Sequence, residues 1–205
     1  MFTRLRWKSG WTLLLLTAVI AVVATGWLLG CSDKSIGEAL ALAGHEGKWM
    51  KENLNVETAD SWCYNNSPDS CAKYGRLYTW EAAKRACQSV GKRLPTNADW
   101  DALVKTVGGA DIAGKKLKSK SGWDRTSSYD YGNGTDNFGF SALPGGDRYS
   151  NGGFHDAGNS GFWWTATESG YGNYAYYRVM RVGDYLGEDD TDKNDAFSVR
   201  CIDGD

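Results

Sequence analysis

A chain of 205 residues is long enough for one domain with a real core and too short for two comfortable ones. Its 23 Lys and Arg stand against 25 Asp and Glu, a net charge of −2, and three of the basic residues fall in the N-terminal leader. The remainder is therefore more acidic still and repels phosphate backbones, so no nucleic acid is expected as a partner.

Arg4, Arg6 and Lys8 precede an apolar run from Trp11 to Leu29, the pattern of a secretion signal. The run ends in Leu28-Leu29-Gly30-Cys31, which fits a bacterial lipoprotein signal with residues 1–30 removed and Cys31 lipidated. The alternative is an uncleaved membrane anchor, since the stretch is long enough to span a bilayer. Either way the domain is expected in the cell envelope, held to a membrane by its N-terminus. Ser32 after the lipid cysteine resembles an outer-membrane sorting pattern and leaves open whether the protein faces the periplasm or the outside. Residues 31–47, interrupted by Gly37, Gly44 and Gly47, read as a tether, and the domain is expected over 48–205.

Setting Cys31 aside leaves Cys63, Cys71, Cys87 and Cys201, an even number in an oxidising compartment, where disulfides are the expected state. Spacing alone does not choose among the three possible connectivities. No CxxC pair occurs and the histidines are His45 and His155 alone, so a zinc site is a poor competitor.

Lys48 to Asn55 reads as a short strand-like opening. Cys63 and Cys71 then flank Tyr-Asn-Asn-Ser-Pro-Asp-Ser, a set of turn formers that suits a loop staple between them. A first helix is predicted from the N-cap Thr79, with Glu81 in its first turn and Gly91 as its stop. Trp80, Ala83, Cys87 and Val90 fall at helical spacing and should form one buried stripe. Pro95 holds Leu94 extended. Thr96 and Asp99 then give a capping signature for a second helix carrying Trp100, Leu103, Val104 and Val107, closed by Gly108-Gly109.

From residue 110 onward glycine and aromatics dominate, which reads as loop-rich with short strands, although "FGFSAL", "GFWWTATE" and "YAYYRVMRV" supply residues to bury. The closing "AFSVRCI" alternates, with Phe197, Val199 and Cys201 inward and Ser198 and Arg200 outward, as in a half-buried terminal strand. Cys201 thus shares an inward face, Cys87 lies on a buried helical stripe, and the two are each other's best partners. A bridge across so long a loop is worth on the order of 4–5 kcal/mol in chain-entropy models.

A helix with a cysteine, an "RLPT" strand, a second helix, a long tryptophan-bearing region and a last strand with the partner cysteine resembles the C-type lectin-like fold. More closely, "WMKENLN", "CAKYGRLYTWEAAKRAC", "RLPTNADWDALV", "GFSALPGG", "WWTATE" and "FSVRC" are similar to the Fibrobacter succinogenes major paralogous domain, over roughly 48–201. The resemblance implies an α+β, C-type lectin-like fold: two helices packed on short antiparallel strands, a long loop-rich region, and disulfide staples. It extends more distantly to the formylglycine-generating enzyme group and to the variable proteins of diversity-generating retroelements. Fold follows from it better than activity, and Trp80, Leu94, Pro95, Trp100, Pro144 and Phe197 are implied to be structural.

An enzyme is not expected. The formylglycine-generating group uses a reactive cysteine pair in its C-terminal part, where this chain has only Cys201, and His155 beside Asp156 lacks convergent partners. Calcium-dependent sugar binding in this fold relies on Glu-Pro-Asn or Gln-Pro-Asp and Trp-Asn-Asp motifs, all absent. Asp189, Asp190, Asp192 and Asp195 form an acidic run that either holds calcium or is simply solvated, and no other cofactor is expected.

The aromatic surplus points to binding. Adjacent Trp163 and Trp164 should face opposite sides of a strand, one of them outside the main core, with Tyr171, Tyr174, Tyr176 and Tyr177 close by. The expected function is a lipid-anchored, non-catalytic recognition domain for a polysaccharide or an envelope or extracellular protein. Alternatives are an enzyme related to the formylglycine-generating group and a structural envelope component.

Overall fold

Two helices stand where their caps predict them. A computed structural model describes residues 48–124 and 132–204. The leader, the tether and Cys31 lie outside the described residues. In α3 (Asn97–Val107) the Thr96 side chain accepts from the Asp99 backbone N–H, Asp99 reaches back to Thr96, and Gly108 closes the helix in the left-handed region at φ 105°. In α2 (Trp80–Ser89) Thr79 is the N-cap by backbone geometry, with no side-chain capping bond. Trp80, Ala82, Ala83, Ala86 and Cys87 are its buried residues. Val90 is not part of that stripe: the helix ends at Ser89, and Val90 is 39% exposed.

Two further helices fall where none was predicted. α1 (Pro68–Tyr74) occupies the segment read as a turn, with Pro68 in its first turn beside Asp69 and Lys73 in its last. Residues that make good turns also start helices, because proline's fixed φ suits both. α4 (Ala110–Leu117) packs Ala113 and Leu117 inward. Its Gly114 lets the backbone approach closely: a Cβ there would meet the carbonyl oxygens of Asp184 and Tyr185 at 2.7 Å.

The strands form small antiparallel sheets. β1 (Ser61–Trp62) pairs with β2 (Leu77–Tyr78), β3 (Lys92–Arg93) with β9 (Ile202–Asp203), and β4 (Asp147–Arg148) with β5 (Phe154–His155). The main sheet has the order β6-β7-β8, from Gly161–Glu168, Tyr174–Met180 and Leu186–Asp192, with a register shift between Trp164 and Glu168. Residues 48–55 are not a regular strand. They run beside the last segment through a Trp49–Ile202 bridge and bonds from the Met50 and Leu54 amides to the carbonyls of Cys201 and Val199, and the Asp203 amide bonds the Lys48 carbonyl at 2.8 Å.

Both predicted disulfides are present: Cys63–Cys71 with Cα atoms 4.9 Å apart, and Cys87–Cys201 at 5.6 Å. The fold is α+β and doubly stapled. Its core comes in two parts. The first gathers Trp80, Cys87, Phe162, Trp164, Tyr177, Phe197, Val199 and Cys201. The second gathers Trp100, Leu103, Val107, Leu117, Trp163, Met180 and Leu186.

This double core corrects two expectations. Trp163 and Trp164 do point to opposite faces of β6, but each face is a core and both rings are fully buried. The Trp164 indole N–H donates to the Tyr78 carbonyl at 2.8 Å and that of Trp163 to Asn53 Oδ1 at 2.9 Å, so neither ring's polar edge is orphaned. The last segment is likewise buried on both sides: Ser198 and Arg200 are as enclosed as Phe197 and Val199.

Candidate functional site

Helix cover decides which part of the main sheet meets solvent. On one face of β7, Met180 joins Trp163 and Leu186 beneath α3 and α4. Two residues back, Arg178 is clamped where that cover ends: its Nη2 donates to Asp101 Oδ1 at 2.9 Å, to the Asn97 carbonyl at 3.4 Å and to Glu188. Period-two alternation carries the same face on to Tyr176 and Tyr174, opposite Asp190 and Asp192 on β8. Tyr176 is half-buried and Tyr174 is 41% exposed.

This row has polar flanks. Ser169 donates its hydroxyl to Asp190 Oδ2, and Asn173 Nδ2 donates to Asp192 Oδ1 at 3.0 Å. Tyr171, on the turn between β6 and β7, is 78% exposed. Successive same-face positions on a strand lie about 7 Å apart, so Tyr174 and Tyr176 present two phenol edges in line, each facing a carboxylate across the ladder. At its inner end two polar atoms are buried without a hydrogen-bond partner, Arg178 Nε and Asn97 Oδ1.

Of the six aromatic candidates, then, Tyr171, Tyr174 and Tyr176 meet solvent. Tyr177 is 8% exposed, faces the first core, and burial pushes its phenol up to about 12. Trp163 and Trp164 are core residues and are withdrawn as contact candidates.

The four aspartates do not converge. Asp189, Asp190 and Asp192 lie on β8, where alternation sends Asp189 to the face opposite the other two. Asp195 is turned inward, accepting from the Ser150 amide at 2.8 Å and the Thr191 hydroxyl at 2.7 Å. Among the described residues no group of three or more His, Cys, Asp or Glu is arranged to hold a metal ion.

One group gave no warning in the sequence. Asp147 is 3% exposed, and its Oδ1 has no hydrogen-bond partner. Burial first, then the neighbouring carboxylates Asp156 and Asp195, push its pKa up to about 6 against the opposing pull of His155. Above it Tyr149 packs on the exposed His155 ring at 4.5 Å between centroids.

A family model described as the Fibrobacter succinogenes major domain matches residues 43–203. The chain belongs to this family. Searches of curated proteins and of solved structures find no match. Within this family member the quoted motif residues are structural: Trp80 donates its indole N–H to the Thr165 carbonyl at 2.7 Å, and Phe197 stacks on Phe162 at 5.2 Å.

Proposed function

We propose that this member of the Fibrobacter succinogenes major domain family is a non-catalytic recognition module that binds polysaccharide through the Tyr174–Tyr176 row. The observation that carries the reading is that row itself: aromatic edges at strand spacing, facing Asp190 and Asp192 and flanked by Ser169 and Asn173. Rings offer sugar faces a stacking surface, and carboxylate and amide groups accept or donate to hydroxyls. The acidic flank favours neutral or basic glycans over uronic or sulfated ones.

In the same reading Cys31 carries a lipid that anchors the protein in the cell envelope, at the outer membrane, and the fold is C-type lectin-like. Supporting the fold are the pairing of β3 with β9 and the Cys87–Cys201 staple between the first long helix and the last segment. A reactive-cysteine enzyme of the formylglycine-generating kind is disfavoured because all four described cysteines are in disulfides.

The test is binding of the protein expressed from Ser32 to a panel of neutral, basic and acidic polysaccharides, with calcium and with chelator. Saturable binding that survives the chelator and weakens about tenfold or more in the Tyr174→Ala, Tyr176→Ala double variant, at unchanged melting temperature, supports the reading. Binding insensitive to both substitutions, or none to any glycan, removes it and leaves a protein ligand or a structural role.

A further inference from the structure

The Cys63–Cys71 bridge differs from its partner staple in its surroundings. Cys87 and Cys201 are fully enclosed in the first core. Cys63, by contrast, is half-buried; Cys71 is buried at 7% exposed, and both line an open recess of about 660 Å³ between β1 and α1. Arg76 forms part of the same wall.

The Arg76 guanidinium is aimed at the sulfurs. Its Nη1 lies 3.7 Å from Cys63 Sγ and 3.8 Å from Cys71 Sγ. The rest of the group is held in place: Nε donates to the Ser61 hydroxyl at 3.0 Å, Nη2 to the Ser61 carbonyl at 3.1 Å, and Nη2 pairs with the exposed Glu57 at 3.4 Å. Two roles in thiol chemistry follow. A cation beside a sulfur stabilises its thiolate, and a more stable thiolate is a faster leaving group in disulfide exchange. Access from the recess allows an external thiolate to reach the bridge.

We propose that Cys63–Cys71 is a thiol-exchange site, with a low-molecular-mass thiol as co-substrate and Arg76 holding the departing sulfur. The external thiolate attacks Sγ of Cys63, the less buried of the two cysteines. A new S–S bond forms to Cys63 as the Cys63–Cys71 bond breaks, and the electron pair leaves on Cys71 as a thiolate beside Arg76. A second external thiolate then attacks the outer sulfur of the mixed disulfide and releases Cys63. The net result is a reduced cysteine pair and one disulfide of the co-substrate, two electrons having passed to the protein. Opening the bridge severs the covalent tie between α1 and the segment leading out of β1, while Cys87–Cys201 keeps the core closed.

The experiment exposes the folded protein expressed from Ser32 to glutathione at pH 8, quenches by alkylation, and maps adducts by peptide mass spectrometry over time. The expected result is glutathione on Cys63, alkylated Cys71, and Cys87–Cys201 intact. Arg76→Gln slows the opening by roughly three- to tenfold. Glu57→Gln, at an exposed position that leaves folding untouched, frees the guanidinium and quickens it. Opening of both disulfides at equal rates, an adduct on Cys71 in place of Cys63, or a rate unchanged or raised in Arg76→Gln overturns the proposal. Should Arg76→Gln fail to fold, a Glu57→Gln rate at or below that of the unaltered protein overturns it equally.

Discussion

The side-chain oxygen of Asn53 accepts from Arg200 twice, from Nη2 at 3.0 Å and Nε at 3.3 Å, while also accepting the Trp163 indole N–H. Arg200 is 1% exposed, and its other partners are the carbonyls of Phe140 at 2.6 Å and Met50 at 3.1 Å. A buried guanidinium is here held by carbonyl oxygens and the face of the Phe140 ring, with a favourable pull from the charges of Glu52 and Asp136. Asn53→Leu strips one oxygen from three donors and leaves a buried cation under-solvated, which should cost about 3–5 kcal/mol. Urea unfolding at pH 7 measures it, and a loss under 1 kcal/mol would show that water replaces the amide.

Asp147 makes stability depend on pH in the opposite sense from most carboxylates. Its folded pKa, pushed up to about 6, lies above the ordinary 3.8, so between those values the folded state holds the proton more firmly than the unfolded one. Its contribution is therefore fully present below about pH 4 and lost as pH rises to 6. Asp147→Asn should raise stability at pH 7 by on the order of 2 kcal/mol and leave it unchanged near pH 3.5. Melting curves across that range decide the matter.

Asp99 works the other way. Partial burial pushes its carboxyl up, but two bonds from Arg93, at 2.7 and 3.1 Å, and bonds from the Thr96 amide and hydroxyl hold it well below the usual range. A depressed pKa stabilises above the ordinary value and that stability is lost as pH falls through the folded one. Asp99→Asn should cost about 1–2 kcal/mol at pH 7, through cap and ion pair together. The deficit should shrink steadily on acidification below pH 4, as chemical denaturation at several pH values would reveal.

Trp164→Ala and Trp163→Ala should each cost about 3–5 kcal/mol, because both rings are fully buried and hydrogen-bonded. Tyr171→Ala, at a ring mostly in solvent, should stay within about 0.5 kcal/mol. Calorimetry on the three separates core from surface, and equal losses would contradict the double-core arrangement.

Replacing Cys87 and Cys201 together by Ala opens a cross-link of sequence separation 114. The chain-entropy estimate of about 4–5 kcal/mol is the expected loss, reduced by whatever structure the unfolded chain keeps. Cys63→Ala with Cys71→Ala, which closes a separation of only 8, should cost less. The ranking of the two variants in guanidinium is the test.

Where local chemistry determines the outcome, it was readable: Thr96, Asp99 and Gly108 bound α3, and the faces of Cys87 and Cys201 named the long bridge. Residues whose fate depends on what packs over them were not. Alternation put Trp163 and Trp164 on opposite sides of β6, but only tertiary structure says that both sides are covered, and Arg200 was misplaced for the same reason. α1 escaped because Ser67, Pro68 and Asp69 serve turns and helix starts alike. α4 escaped because eight residues containing Gly114 carry too short a stripe to stand out. The exposure of the candidate row was half legible. Tyr174 and Tyr176 lie where clustering suggested, whereas Arg178 and the buried Asp147 sit in stretches whose neighbours along the chain say nothing of burial.

The bond between the Asp203 amide and the Lys48 carbonyl brings the two ends of the domain side by side. A domain whose ends touch is nearly a ring. A few residues linking 203 to 48 would close it, and the exposed turn at Tyr171–Asn173 offers a place to cut it open again. Such a circular permutant would keep both cystines and both cores while changing which segment leads the chain, so the order in which the elements emerge during synthesis can be varied independently of the structure they reach.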